Sequence, residues 1–146
     1  MSDQNVIQAL ERLLADSYTL YLKTHSYHWN VKGPMFTTLH TLFETHYTEL
    51  ALAVDEIAER IRALGAQAPG SYSQFQERAH VKEDTGVPKA EDMIRALVAD
   101  SETVVQAAQA VVRAGEAAGD DATTDLGVRR IELHQKNAWM LRSHLE

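Results

Sequence analysis

An all-α fold is what this sequence predicts: four long helices, with a short fifth in the connection between the second and the third. Three observations predict it. Apolar residues recur at spacings of three, four and seven over long stretches, the period of a helix with one buried face. The three prolines and most of the seven glycines fall between those stretches, where chain reversals need them. Apolar and polar residues nowhere alternate as in a half-buried strand, and no repeat with a period of roughly 20–50 residues is present.

The elements follow in order. Val6, Leu10, Leu13, Leu14, Leu20 and Tyr21 form one apolar stripe, which predicts a first helix from about residue 3 to 29. Lys32-Gly33-Pro34 ends it and turns the chain. Leu39, Leu42, Phe43, Leu50, Val54, Ile57, Ile61 and Leu64 predict a second helix from Phe36 to Leu64, with Gly65 placed to close it. A connector runs from Ala66 to Val87. Its centre, Ser71 to Ala79, is predicted as a short helix capped by Ser71 or Ser73. Pro88 is placed at the first position of the third helix, with Glu91 and Asp92 favouring its positive end. Met93, Ile94, Leu97, Val98, Val104, Val105, Val111 and Val112 give that helix its apolar face, and Gly115 or Gly119 stops it. The fourth helix begins after Asp120-Asp121 and runs to the end through Leu126, Ile131, Leu133, Trp139, Met140 and Leu141. Such a long central crossover suits a ferritin-like bundle better than a simple up-and-down one.

Composition narrows the function. The 146 residues suffice for a single domain, 1–146, with a sizeable core, and 45% hydrophobic content excludes wholesale disorder. No apolar run approaches the roughly 18 residues that span a membrane. Met1-Ser2-Asp3-Gln4-Asn5 lacks the basic and apolar regions of a secretory signal. The absence of cysteine excludes disulfides and thiolate metal sites. A cytoplasmic location is the expectation. The net charge of −7 weighs against nucleic acid as a partner, which is held by neutralising its phosphates. The first basic side chain is Arg12 and the first lysine Lys23, so no polybasic arm is expected ahead of the fold.

The residues that carry chemistry are His28, His40, Glu44, Asp55 and Glu59. His40 and Glu44 lie one turn apart on the same helix face, about 6 Å along the axis, and Asp55 and Glu59 form a second such pair. Asp55 nearly shares the azimuth of Glu44, but roughly 16 Å of axis separates them, and roughly 28 Å separates His40 from Glu59. Metal–ligand bonds near 2 Å cannot bridge those gaps. Either the pairs serve separate purposes, or two copies of the helix pack antiparallel about a two-fold axis. In the second case each pair faces the other pair of the neighbouring chain, at two equivalent sites. His28 can approach His40 across the short turn. Two imidazoles and three carboxylates suit iron(II), with zinc, manganese and cobalt as competitors.

Plainer readings exist for each residue. Asp55, Glu56, Glu59 and Arg60 also read as a salt-bridged polar stripe. His25, His40 and His46 each read as ordinary polar residues, and Trp29 reads as core.

The stretch from Ser17 to Leu64 resembles the Dps family, the DNA-protection-during-starvation mini-ferritins of bacteria and archaea. The signature is Tyr27-His28-Trp29-Asn30-Val31-Lys32-Gly33, then Phe36, His40 and Asp55-Glu56-Ile57-Ala58-Glu59-Arg60, followed by Leu64-Gly65. Gly119-Asp120-Asp121-Ala122-Thr123-Thr124-Asp125 and Trp139-Met140-Leu141-Arg142 look like the family's last helix. The resemblance implies a hollow homododecamer of tetrahedral symmetry with ferroxidase centres at its two-folds. It assigns His28, His40 and Glu44 to one chain and Asp55 and Glu59 to its neighbour. It implies oxidation of iron(II), preferably by hydrogen peroxide, with ferric mineral stored inside and protection against oxidative damage. Trp29 is expected near the centre as a sink for stray oxidising equivalents. Asp120, Asp121 and Asp125 are the candidates for an acidic iron pore, N-capping being the plainer role.

Two positions depart from the family pattern. Position 44 is usually aspartate and here is glutamate, and Thr41 stands where an acidic residue is common. A DNA-coating structural protein is the alternative function, which the negative charge and the absence of a lysine-rich tail oppose. A helical assembly with a vestigial metal site and a 24-subunit ferritin are the remaining rivals. The last lacks Glu-x-x-His pairs in the two places it requires.

Overall fold

The structure, a computed structural model, describes residues 2–146. The expected helices are all present: α1 (Ser2–Asn30), α2 (Phe36–Ala63), α3 (Tyr72–Arg78), α4 (Ala90–Ala118) and α5 (Asp121–Arg142), followed by a 3₁₀ turn over Ser143–Leu145. No strand occurs among the described residues.

Leu10, Leu13 and Leu14 of α1, Leu39, Phe43, Leu50, Ile57 and Ile61 of α2, and Ile94, Leu97, Val104 and Val111 of α4 are almost wholly buried. Each such side chain contributes about 1.5–3 kcal/mol by leaving water. The last long helix differs. Its buried residues include Arg130, His134 and Asn137 beside Leu126 and Leu141. The bundle interior is therefore polar where α5 passes α2.

Two antiparallel hairpins build the bundle. Across the first, His28 meets His40 and Tyr27 meets Phe43. Across the second, α4 and α5 approach so closely that a Cβ on Gly127 would lie 2.8 Å from Val112 and one on Gly115 would lie 2.5 Å from the Thr124 hydroxyl. Gly115 therefore stands within α4 as a contact glycine, and the helix runs on to Ala118. Gly119, at φ +67°, then takes the left-handed turn. Asp120 N–H bonds back to Gly115 O, and Gly119 N–H to Glu116 O, so the last carbonyls are satisfied as α5 begins.

The third long helix corrects one expectation. It begins at Ala90 after an extended Lys89, so Pro88 precedes the helix and does not open it. Lys89 O still accepts from Met93 N–H, the first helical bond. In the connector, Ser71 is the cap of α3 and accepts from Gln74 N–H.

The rest of the connector is held by α1. Asp16, fully buried, accepts from the backbone N–H of His80 and Val81. Lys23 donates to Lys82 O at 2.8 Å and pairs with Asp100 of α4 at 2.9 Å. Tyr27 donates to Asp84 at 2.5 Å. Three side chains on one helix thus tie down a segment that has no ladder of its own.

Candidate metal centre

The turn over residues 31–35 brings the end of α1 against the start of α2. The His28 and His40 rings stack there, with centroids 3.8 Å apart and planes 15° from parallel. His28 Nδ1 lies 2.6 Å from His40 O, and His40 Nδ1 lies 2.7 Å from His28 O. A carbonyl oxygen only accepts, so both Nδ1 atoms carry the proton. In the neutral ring this leaves Nε2 as the unprotonated lone pair, the form in which imidazole binds a metal. A backbone partner on the other ring nitrogen is the usual way such a ligand is oriented.

Glu44 completes the group, since one ligand atom each from His28, His40 and Glu44 lie within 4.8 Å of one another. His28 is buried, His40 half-buried and Glu44 exposed, so the group opens to solvent on the carboxylate side. One face of a cation can be held here, and positions remain for donors from outside the chain.

Asp55 and Glu59 do not join this group. Both are exposed, further along α2. Their neighbours on that helix are spoken for: Glu56 pairs with Arg129 at 2.6 Å, and Arg60 pairs with Asp120 at 2.9 Å. Among the described residues Asp55 and Glu59 have no ion-pair partner. The polar stripe is thus half paired, and the two residues picked out by spacing are the unpaired half.

The structure separates the three acidic residues before and within α5. Asp120 is its N-cap, accepting from Thr123 N–H and Arg60. Burial opposes its charge, but the Thr123 and Arg60 contacts outweigh it and hold the carboxyl below its ordinary range. Asp121 is exposed in the first turn, and Asp125, also exposed, pairs with Arg129 at 3.0 Å. Trp29 is 58% exposed, and its ring contacts His25 at 4.0 Å.

Sequence reasoning left His25, Tyr21 and Tyr47 outside the site. The His25 ring lies 4.2 Å from Tyr47 and 6.2 Å from His28, and Tyr47 lies 5.1 Å from His28. Burial, and then the neighbouring His28, push the His25 pKa below 6.5. The missed signal was spacing: Tyr18, Tyr21, His25 and His28 follow one another at three, four and three residues, one stripe of a helix.

Bundle and site together define a protein with a ferritin-like domain, and the model of that domain family matches residues 7–146. The chain belongs, within it, to the Dps family. It is 36% identical over 143 residues to DNA protection during starvation protein 2 of Bacillus anthracis, covering 98% of both chains. It is 44% identical over 145 residues to a low-temperature-induced protein of Nostoc sp., covering 98% of this chain and 81% of that one. The crystal structure of the Dps protein from Vibrio cholerae, described as one of the ferritin-like diiron-carboxylate proteins, superposes with a TM-score of 0.95 at 33% identity, over 99% of this chain and 91% of that one. Membership supports iron storage and protection from stress as the broad function. No helix among the described residues is long and apolar enough to cross a membrane.

Proposed function

We propose that this chain, as one domain over 1–146, binds iron(II) as its substrate and oxidises it at centres shared by two-fold related subunits. His28, His40 and Glu44 of one chain hold the ion, and Asp55 and Glu59 of the neighbouring chain complete the set. Hydrogen peroxide is the preferred oxidant. Ferric mineral collects inside a hollow cytoplasmic homododecamer, which protects against oxidative damage. Zinc, manganese and cobalt are competitors for the same donors.

One observation supports this above the others. The reciprocal Nδ1–carbonyl bonds leave two Nε2 lone pairs beside the Glu44 carboxylate. That is half of a coordination sphere, while two unpaired carboxylates stand further along α2, too far for their own chain to use. Nitrogen and oxygen donors together suit iron(II). Carboxylates favour iron(III) over iron(II), which promotes the oxidation, and two irons at one centre permit a two-electron reduction of peroxide. Binding requires neutral imidazole and ionised carboxylate, so it weakens as pH falls. We assign iron entry to Asp121 and Asp125, which lie exposed at the start of α5, while Asp120 keeps its capping role. The net charge of −7 opposes DNA coating.

The test is subunit mixing. A chain carrying His28→Ala and His40→Ala and a chain carrying Asp55→Asn and Glu59→Gln are each expected to lose peroxide-driven iron(II) oxidation. Shells reassembled from both recover part of it, because some two-fold pairs regain one intact centre. No recovery despite mass-confirmed mixing would overturn the shared centre.

A further inference from the structure

We propose that the groove between α4 and α5, on the helices that take no part in the metal centre, binds a free amino acid. Arg142 and the His134 ring hold its carboxylate, and Glu102 and Ser101 hold its ammonium. The site stands apart from the iron-oxidising reading and does not depend on it. The groove encloses about 300 Å³, the lower end of the range for small-molecule pockets. Ser101 and Gln109, both in its lining, are eight residues apart on α4, which is about 12 Å of helix axis.

The floor of the groove is what points to a ligand. His134 lines it and is 0% exposed. Arg130 donates to His134 Nε2 at 2.9 Å, and a guanidinium accepts nothing in return, so the ring proton lies on Nδ1. That N–H is buried and meets no acceptor among the described residues. Arg130 is not part of the lining, so the nitrogen it does not engage is the one left for an occupant. Buried donors in folded proteins are almost always satisfied, and an aliphatic residue here would close the seam between the helices without that cost. Ser101, 3% exposed, is the complement. Its hydroxyl proton is committed to Leu97 O at 2.8 Å, so its oxygen can only accept. The floor thus offers one donor and one acceptor.

The rim repeats this pairing with full charges. Arg142 and Glu102 both line the groove, both are exposed, and neither has an ion-pair partner among the described residues. An ion of either sign would satisfy one of them and oppose the other, whereas a zwitterion satisfies both. Its carboxylate accepts from Arg142 and from His134 Nδ1–H. Its ammonium, with three donors and no acceptor, gives to Glu102 and to Ser101 Oγ. Further along, Gln106 and Gln109 supply carboxamides, which suit a polar side chain.

The test uses iron-free assembled shells and L-glutamine, whose own carboxamide matches that end. Equilibrium dialysis against the labelled amino acid should show saturable retention of one molecule per chain. Arg142→Gln and Glu102→Gln alter exposed residues, and each should weaken retention by about 10-fold or more, the worth of one charge-assisted bond. His134→Leu should abolish it. Acetate and methylammonium, with one charge each, should displace the label only at far higher concentration. Absence of saturable retention by the parent shell overturns the proposal, as does full retention in a folded His134→Leu shell. Acetate competing on equal terms removes the ammonium half, and with it the assignment to amino acids. Should His134→Leu fail to assemble, the two rim variants decide the matter, and unchanged retention in both overturns the site.

Discussion

Two pairs of histidines lie in this bundle, and they are built in opposite ways. His28 and His40 sit at the α1–α2 turn with both Nδ1 protons satisfied by backbone carbonyls and both Nε2 atoms free. His46 and His134 sit inside the bundle, where His46 Nε2 and His134 Nδ1 are buried without a hydrogen-bond partner among the described residues. Arg130 donates to His134 Nε2 at 2.9 Å, which places the His134 proton on the orphaned Nδ1. Burial, followed by the charge of His144, lowers the His46 pKa to about 4. Burial, followed by Arg130 and His46, lowers that of His134 to about 3. The backbone bonds of the first pair leave its outer ring nitrogens free for a cation. The second pair is held neutral beside a guanidinium, where a cation would be repelled. Residue type is the same, and the neighbour on the second ring nitrogen decides the role.

The largest effect should come from the turn. Replacing His28 and His40 with alanine removes both nitrogen donors, and iron(II) oxidation, followed optically, should fall by more than about 100-fold, beyond what loss of one outer partner costs a metal site. Each lost bond to a carbonyl is worth only about 1 kcal/mol to folding, so the shell should still assemble. Full activity in the double variant would erase the distinction between the pairs.

Next comes acid. A histidine whose folded pKa lies below its unfolded value of 6.5 binds fewer protons in the folded state. Its contribution to stability is therefore complete above pH 6.5 and drains away as pH falls toward 4 for His46 and 3 for His134. Each group gives a slope of up to about 1.4 kcal/mol per pH unit in that window. His46→Phe with His134→Leu should flatten the fall in urea midpoint between pH 6.5 and 5. Equal slopes in parent and variant would show that the interior pair does not govern acid stability.

A smaller effect is expected at Glu49, which forms a two-armed pair with Arg130, one arm at 3.0 Å. Glu49→Ala strands a guanidinium whose side chain is 6% exposed. A fully buried pair broken in this way costs about 3–5 kcal/mol, but the Glu49 side is 35% exposed, so water reduces the loss to about 2 kcal/mol. Urea unfolding at pH 7 measures it, and iron(II) binding should not change.

The contrast also shows what a sequence displays. Helical period placed α1 and α2 to within a residue or two, because burial of one face dominates each. It also placed the start of α5, which ends at Arg142 and gives way to a 3₁₀ turn where the helix was expected to run to the end. Pro88 was misplaced because a proline two residues ahead of a helix looks the same in sequence as one opening it. Gly115 offered itself as a stop because close approach between helices leaves no mark on period. His28, His40 and Glu44 were legible because helix geometry and a short turn fix their meeting. His46 was set aside as polar, although it falls in the buried series Leu39, Phe43, His46, Leu50, Ala53, Ile57 of α2. His134 likewise follows Leu126 and Arg130 on the buried face of α5. Period offered the means to locate both and was not used for either; what one sequence could not supply was the guanidinium and the neighbouring helix that keep them neutral.

The finest contrast lies within the centre itself. His28 and His40 are locked by backbone bonds, whereas Glu44 is exposed and has no ion-pair partner among the described residues. Glu44→Asp withdraws the carboxylate by about 1.5 Å, one carbon–carbon bond, and leaves both imidazoles in place. The first iron(II), held mainly by nitrogen, should bind as before. The second, which depends on the carboxylate side, should weaken by up to about 10-fold, the lower end of what loss of an outer partner costs. Anaerobic titration separates the two events. Equal weakening of both would mean that Glu44 anchors the first ion as firmly as the imidazoles do, and that fixed donors hold no advantage over a mobile one at this site.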